Sequence, residues 1–284
     1  MIVIKAFCSY CSTEDINKGL QLNFYFEKYP NIRFTSGDDY THVILVNTPM
    51  PDNLLVPKEK VLGLAWEPPY FLGLTVQFIE WCRKNVGHYY IGETMGLPEP
   101  FIQHYTFQQA FKRFKEIPPK TKLMSIIFSG KNQLEGHKYR NTLVVECLKR
   151  NLPVDVFGYG CSCITGAVGH PRLKGAFKEW EPYDGYQFSI AVENCSLNEY
   201  VTEKFLNCLA TKTVPVYYGG KNAEKRFPNS FIRLVGNLER DINLIIDVLQ
   251  NREKYLAEIR VDKYEEYLNT SADLAHHLSQ IWED

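Results

Sequence analysis

Short, uninterrupted runs of apolar residues recur along this chain, and stretches with helical spacing lie between them. The clearest runs in the first half are residues 42–46 and 61–66, which read HVILV and VLGLAW. Such runs are typical of central strands in a parallel sheet that helices cover on both faces. Further strands are predicted at 2–4, 32–34 and 88–91, and helices at 16–29 and 72–84. The first half therefore predicts one βα domain.

The same alternation resumes after residues 112–122, a charged, proline-containing stretch typical of an interdomain linker. Strands are predicted at 123–128, 154–157, 188–192, 214–218 and 231–234, and helices at 139–150, 199–210 and 241–281. The pattern predicts an α/β protein with two Rossmann-like sheets that face a cleft. We expect a first domain over 1–115, a second over 120–250, and C-terminal helices over 251–284 that pack back across both.

Composition narrows the range of partners. Lys and Arg total 32 against 33 Asp and Glu, so the net charge is −1, which argues against nucleic acid as a partner. No apolar stretch approaches the ~20 residues that span a bilayer, and residues 1–7 lack the layout of a signal peptide. We therefore expect a soluble, cytoplasmic protein with no membrane anchor, whose eight cysteines are free thiols.

Metal binding is not predicted. Cys8 and Cys11 form a single CxxC, whereas a structural zinc site needs four ligands at suitable spacing. No suitably placed Asp-x-Asp occurs that would hold a divalent ion, since Asp38 and Asp39 are adjacent and Asp155 lies within a predicted strand.

The most informative stretch is residues 186–220, which reads YQFSIAVENCSLNEYVTEKFLNCLATKTVPVYYGG. A predicted strand leads into Glu193 and Asn194, and the next strand ends in Gly219 and Gly220. Glycines at a strand end allow a backbone or a ligand to approach closely.

A helix is expected to begin near Asn198, because Ser196 and Glu199 have the spacing of a capping box. A helix start presents N–H groups and a positive dipole to a phosphate. Lys204, in the first turns, would add an ammonium group. From these residues alone, a phosphate site and an ordinary βαβ unit with a surface Glu–Lys pair are equally good interpretations.

This stretch resembles the donor-site motif of glycosyltransferase family 10, the α1,3/4-fucosyltransferases. That motif is a strand ending in E-N-S, then D/E-Y-[VI]-T-E-K, a helix, and [VI]-P-[VI]-x-x-G; Cys195 stands here where Ser is usual. The matching residues are Glu193, Asn194, Tyr200, Val201, Thr202, Glu203, Lys204, Val214, Pro215, Val216 and Gly219. Residues 125–131, 139–141 and 154–158 resemble further parts of the family's donor domain, so the resemblance covers about residues 120–235.

The resemblance implies a GT-B fold and inverting transfer of L-fucose from GDP-fucose to a hydroxyl group of a glycan, with no cofactor or metal required. Arg140 and Lys204 would neutralise the leaving diphosphate, and Lys131 is a further implied donor-binding residue. Glu203 would accept hydrogen bonds from ribose or sugar hydroxyls, and Tyr200 would line the nucleotide pocket. The remaining implied donor-binding residues are Glu193, Asn194 and Thr202.

In the first half the resemblance is confined to residues 66–69, which read WEPP. The family carries E-S-P after a comparable strand, and the resemblance implies that Glu67 is the general base, although Pro68 replaces Ser. The alternative is a proline turn after a buried strand, with Glu67 merely exposed. If Glu67 is not the base, the candidates are Asp38, Asp39, His42 and Glu93.

Two other functions remain open. One is the same scaffold with another donor, such as a UDP-pentose; the other is a catalytically silent carbohydrate-binding protein. A dehydrogenase or a kinase is not favoured. The Gly158-x-Gly160 pair is followed by Cys163 where a third glycine is needed, and Lys221 is followed by Asn222 rather than Ser or Thr.

Overall fold

Two six-stranded sheets organise the chain, and all the strands within each sheet are parallel. The fold was analysed in a computed structural model that describes residues 1–107, 116–164, 169–178, 180–261, 267–268 and 270–282. The predicted α/β class with two Rossmann-like sheets is confirmed.

Two compact units each contain one of the sheets. The first consists of residues 1–111, 197–202 and 265–284, and the second of residues 112–196 and 203–264. Residues 112–115 of the predicted linker lie outside the described residues. The short segment 197–202, which belongs to the donor-site motif, is thus grouped with the first unit.

The first sheet consists of β1 (Ile2–Cys8), β2 (Ile32–Phe34), β3 (His42–Val46), β4 (Val61–Leu64), β5 (His88–Ile91) and β6 (Phe101–Gln103). Its order is β2-β1-β3-β4-β5-β6. Every residue of β3 is buried, as expected for a central strand without polar alternation. The strand order reverses between β1 and β3, so the switch point, where α/β sheets bind ligands, lies between their carboxyl ends.

Helices α1 (Thr13–Asn23), α2 (Pro69–Leu72) and α3 (Val76–Asn85) connect these strands. The predicted helix over 72–84 is wrong in its extent, because Gly73 adopts a φ of 61° and ends α2. The Thr75 hydroxyl oxygen then caps the start of α3. The predicted helix over 16–29 ends early, at Asn23.

The second sheet consists of β7 (Lys122–Ile127), β8 (Val154–Phe157), β9 (Leu173–Gly175), β10 (Tyr186–Val192), β11 (Val214–Tyr218) and β12 (Ile232–Arg233). Its order is β12-β11-β10-β7-β8-β9. The chain adds β8 and β9 on one side of β7 and then places β10 on the other. The switch point therefore lies between the carboxyl ends of β7 and β10.

Helices α4 (Glu135–Lys149), α5 (Glu203–Ala210), α6 (Ala223–Arg226), α7 (Leu238–Gln250) and α8 (Arg252–Glu258) belong to the second unit. α4 and α7 pack on the sheet through buried aliphatic residues, including Leu143, Val144, Ile242 and Ile245. α4 begins earlier than predicted, and the Leu134 N–H donates to Nδ1 of His137 at 3.3 Å beside its first turn. Arg140 consequently lies in the second turn of α4.

The C-terminal helix α9 (Leu274–Ile281) is grouped with the first unit. Asp273 caps it by accepting from the His276 N–H at 3.1 Å, and also accepts from the Tyr25 N–H at 3.0 Å. The single helical region predicted over 241–281 is therefore divided into α7, α8 and α9. Residues 262–266 and 269 of that region lie outside the described residues. In the part of the chain that the structure describes, we find no helix long and apolar enough to cross a membrane.

Candidate active site

Close backbone contact shapes the loop at the switch point of the second sheet. Glu193 and Asn194 follow β10 directly, and the Gly136 N–H of α4 donates to the Asn194 carbonyl at 3.0 Å. A Cβ atom at Gly136 would lie only 2.0 Å from the Glu193 carbonyl oxygen. Glycine at this position therefore allows the first turn of α4 to touch the motif.

We expect Gly136→Ala to lower the free energy of unfolding by about 1–3 kcal/mol, because the clash is with backbone that cannot rotate away. Gly19→Ala in α1 is the matched control, since a Cβ there meets nothing within 4 Å. That control should stabilise the protein slightly through helix propensity. Urea unfolding of both variants tests this, and equal or increased stability of Gly136→Ala would contradict the packing argument.

A buried carboxylate organises the motif. Glu193 is 0% exposed, and its Oε2 lies 3.6 Å from Nζ of Lys204. The same ammonium donates to Oε1 of Glu203 at 2.8 Å. The Tyr217 hydroxyl donates to Oε1 of Glu193 at 3.4 Å and accepts from the Gly220 N–H at 2.8 Å. The motif's two acids and its lysine are thus brought together at the carboxyl end of β10.

The charge on Lys204 is maintained by this arrangement. Burial alone lowers the pKa of Lys204, but the carboxylates of Glu203 and Glu193 outweigh it and the pKa lies above its ordinary value. About a fifth of the side chain, 20%, is accessible. The site therefore holds a permanent ammonium group that is partly open to a ligand.

Arg140 contributes a second fixed cation. It is only 5% exposed, so it is not a solvated helix cation. Its Nη1 donates to the Val192 carbonyl at 3.3 Å and its Nη2 to Oδ1 of Asn194 at 3.5 Å. Lys131 is exposed in the loop after β7, where its carbonyl oxygen accepts from the Asn141 amide at 3.1 Å.

His137 was missed by the sequence analysis and is almost completely buried in the same region. Burial and the positive charges of Arg140, Lys131 and Lys204 lower the pKa of His137, against a hydrogen bond with Asn194 that raises it. A lowered pKa keeps the imidazole neutral, so it adds no charge at neutral pH.

The predicted helix start near Asn198 is wrong. α5 begins at Glu203, and the Ser196 hydroxyl donates to the Gly219 carbonyl at 2.9 Å rather than capping a helix. The Glu199 N–H donates to the Gly92 carbonyl at 2.9 Å, which holds residue 199 beside the end of β5. Lys204 remains in the first turn of a helix, as predicted.

Tyr200 and Thr202 lie in the segment 197–202 and are buried. A Cβ atom at Gly92 would lie 3.1 Å from Cβ of Tyr200, so the segment packs tightly on the loop after β5. Tyr200 thus packs on this loop within the first unit. The predicted contacts of Tyr200 and Thr202 with a donor stay predictions.

In the first unit, Glu67 follows the carboxyl end of β4 and its side chain is exposed. Asn47, at the end of β3, accepts from the Trp66 N–H at 2.9 Å and the Glu67 N–H at 3.1 Å. Asn47 is itself buried at a φ of 61°, and its carbonyl accepts from the Tyr89 hydroxyl at 2.6 Å. Asn47 thus fixes the backbone that presents Glu67, a role that no local pattern indicated.

Two of the alternative bases are engaged in surface ion pairs. Asp38 lies 2.9 Å from Nζ of Lys5, and Asp39 lies 2.6 Å from Nη2 of Arg33. Hydrogen bonds from Arg33 and Thr35 hold the pKa of Asp39 below its ordinary value, which makes it a weaker base.

The other two alternatives lie at opposite ends of the strands of the first sheet. We call the row of strand starts the amino edge and the row of strand ends the carboxyl edge. His42 begins β3 at the amino edge and is buried, with its ring 4.5 Å from that of Trp282. Glu93 follows β5 at the carboxyl edge, where Glu67 also lies. Position therefore favours Glu67 and Glu93 over His42.

Residues 117–269 match the family model of glycosyltransferase family 10 (fucosyltransferase), C-terminal part. An α-(1,3)-fucosyltransferase of Caenorhabditis elegans is 30% identical over 202 residues, which cover 68% of this chain and 51% of the relative. The α-(1,3)-fucosyltransferase B of Drosophila melanogaster is 22% identical over 192 residues, covering 55% and 42%. A putative fucosyltransferase-like protein of Arabidopsis thaliana is 30% identical over 141 residues, covering 50% and 25%. The chain thus spans a quarter to about half the length of these relatives.

Solved structures share the fold. A crystal structure of an α1,3-fucosyltransferase with GDP has a TM-score of 0.56 at 16% identity, covering 100% of this chain and 91% of the other. A crystal structure of an α1,3-fucosyltransferase with GDP-fucose has a TM-score of 0.55 at 17% identity, covering 91% of this chain and 81% of the other. Staphylococcus aureus TarM has a TM-score of 0.55 at 12% identity, covering 84% and 54%. At these identities the likeness concerns the GT-B fold alone.

Proposed function

We propose, for a chain that belongs to glycosyltransferase family 10, the fucosyltransferases, that it transfers L-fucose from GDP-fucose to a glycan hydroxyl with inversion at the anomeric carbon. The observation that carries the proposal is the Glu193–Lys204–Glu203 cluster at the carboxyl end of β10. It lies beside the switch point of a parallel sheet, where α/β folds bind nucleotides. The GDP and GDP-fucose named for two structures of the same fold support this donor.

The donor half of the reaction needs neutralisation of charge on the leaving GDP. We assign this to Lys204 and Arg140, because both hold fixed positive charge beside the motif, and to the more exposed Lys131. Glu193 would orient Lys204 through their ion pair. Glu203 would also accept hydrogen bonds from donor hydroxyls. Asn194, Tyr200 and Thr202 complete the proposed donor-binding set.

On the acceptor side of the reaction, the attacking hydroxyl must lose its proton. The acceptor oxygen attacks the anomeric carbon on the face opposite the leaving GDP, and the proton of its hydroxyl passes to the Glu67 carboxylate. The new C–O bond forms as the bond to the diphosphate oxygen breaks, and that electron pair leaves with GDP. Attack from the opposite face inverts the anomeric configuration.

Two alternatives are tested by the same assay. A glycosyltransferase with the same scaffold and another donor, such as a UDP-pentose, would bind UDP in preference to GDP. A silent carbohydrate-binding protein would leave every nucleotide sugar intact, whereas a transferase usually hydrolyses some donor when no acceptor is present. The exposed Glu67 and the intact Glu203–Lys204 pair favour the transferase.

GDP is expected to raise the thermal midpoint, and UDP and CDP are the matched controls. At a hundredfold excess over Kd, a ligand that binds only the folded state adds about 2.7 kcal/mol to the free energy of unfolding. Because fixed cations are assigned to the diphosphate, fucose transfer should persist in EDTA. Complete loss of transfer in EDTA, restored by Mn²⁺, would refute the metal-independent mechanism, and a selective shift with UDP would refute the donor.

A further inference from the structure

Exposed aromatic and thioether side chains gather at the carboxyl edge of the first sheet. Tyr10 follows β1, Met50 lies in the loop after β3, and Tyr70 and Phe71 lie in α2 just after β4. Tyr10 is 61% exposed and Tyr70 57%. Because these strands are parallel and adjacent, their carboxyl ends lie at one edge, which is also the edge that presents Glu67.

Specific contacts hold this edge in its shape. Asn47 binds the N–H of Glu67, and the Thr48 hydroxyl donates to the Leu72 carbonyl at 3.4 Å, which ties the loop after β3 to α2. Tyr10 follows β1, which is next to β3 and one strand away from β4, so it lies at the same edge of the sheet as Glu67. Exposed apolar groups mark a binding surface where they form one patch rather than lying scattered.

The charges at this edge indicate what it binds. The segments that follow the carboxyl ends of β1, β3, β4 and β5, residues 9–12, 47–57, 65–75 and 92–97, contain no Lys or Arg and three acids, namely Asp52, Glu67 and Glu93. The edge of the second sheet, by contrast, carries the cations of the motif. An anionic ligand would meet like charge at the first edge, whereas flat, exposed rings suit the apolar face of an uncharged sugar.

We propose that Tyr10 and Tyr70 form an aromatic platform for the acceptor, and that the acceptor is a neutral saccharide without sulfate or sialic acid. This inference rests on the proposed function and adds the chemical class of the acceptor. The platform places the sugar ring beside Glu67, so that a hydroxyl can lose its proton there.

The first test compares Tyr10→Ala and Tyr70→Ala with Tyr10→Phe, which keeps the ring. Loss of either ring should raise the KM for a neutral oligosaccharide acceptor about tenfold, and Tyr10→Phe should stay within about twofold. The Kd for GDP is the internal reference, and Leu22→Ala, which removes an exposed side chain from α1, is the matched control. An unchanged acceptor KM in both alanine variants would overturn the platform.

The second test concerns charge. A panel of neutral oligosaccharides ending in galactose, glucose or N-acetylglucosamine is compared with the sulfated form of each member. Binding is followed by NMR line broadening in the presence of GDP, so the test does not depend on turnover. We expect about a tenfold preference for the neutral forms over the sulfated ones. Met50→Lys should reduce that preference.

Equal or tighter binding of the sulfated forms, or no binding of any neutral member, would overturn the inference. The proposed function fails separately, if the parent protein neither hydrolyses GDP-fucose nor transfers fucose to any acceptor in the panel. If fucose transfer is unaffected by the alanine substitutions of the two tyrosines, the proposed function stands and only the aromatic platform is refuted.

Discussion

Glu67→Gln is expected to reduce fucose transfer by about 10²–10⁴-fold, the usual contribution of a positioned general base. Glutamine keeps the size of the side chain, but its amide cannot take up the proton of the acceptor hydroxyl at neutral pH. The backbone N–H of residue 67 still donates to Asn47 in the variant, so the loop should keep its shape. The Kd for GDP should match that of the parent, because the proposed donor cations lie elsewhere in the chain.

Glu59→Gln is the control for this substitution. Glu59 is also exposed, but it precedes β4 at the amino edge of the sheet. That variant should transfer fucose at the parental rate. In Glu67→Gln the acidic limb of the pH–rate profile should also disappear. If transfer stays within a few-fold of the parent, Glu67 is structural, and Glu93 at the same edge becomes the next residue to test.

Strand positions were predictable because they depend on local composition. The limits of β3, β5, β8 and β11 coincide with the strands predicted from short runs rich in apolar residues, although Asp155 interrupts the run of β8. The two strands that were missed, β6 and β9, are edge strands of three residues with little burial. Short edge strands are stabilised by pairing with a neighbour, and that pairing leaves little pattern in the strand itself.

The start of α5 shows why a local signal failed. Ser196 and Glu199 have the spacing of a capping box, yet the Glu199 N–H is taken by the Gly92 carbonyl. A contact between residues so distant in sequence outweighs a cap that contributes about 1 kcal/mol. Sequence alone could identify the motif but not the non-helical path of the chain that precedes Lys204.

The supporting residues of the site were missed for a similar reason. Tyr217 reaches Glu193, Gly136 contacts the Asn194 backbone and Asn47 holds the backbone at Glu67. Each acts on a segment well separated in sequence, and none belongs to a pattern that is recognisable by itself. Gly136 gave no such signal, because it lies three residues before the helix that was predicted over 139–150.

Lys204→Ala should weaken GDP binding by about 10–150-fold, the equivalent of one charge-assisted hydrogen bond of about 1.5–3 kcal/mol. Guanosine, which lacks the diphosphate, should bind with unchanged affinity. The structure adds a second consequence, because the ammonium group also faces the wholly buried Glu193 carboxylate at 3.6 Å. Removing one partner of a buried ion pair should lower the free energy of unfolding by about 3 kcal/mol.

The double variant Lys204→Met, Glu193→Gln separates these two effects. It removes both charges, so the free energy of unfolding should recover most of the loss, whereas GDP affinity should not recover because the phosphate contact is still missing. Lys225→Ala, an exposed cation of α6, controls for the change in net charge. Calorimetry with GDP and guanosine at fixed ionic strength, together with urea unfolding, measures both quantities. Parental GDP affinity in the double variant would mean that Lys204 supports only the fold, and parental affinity in Lys204→Ala itself would remove it from the donor site.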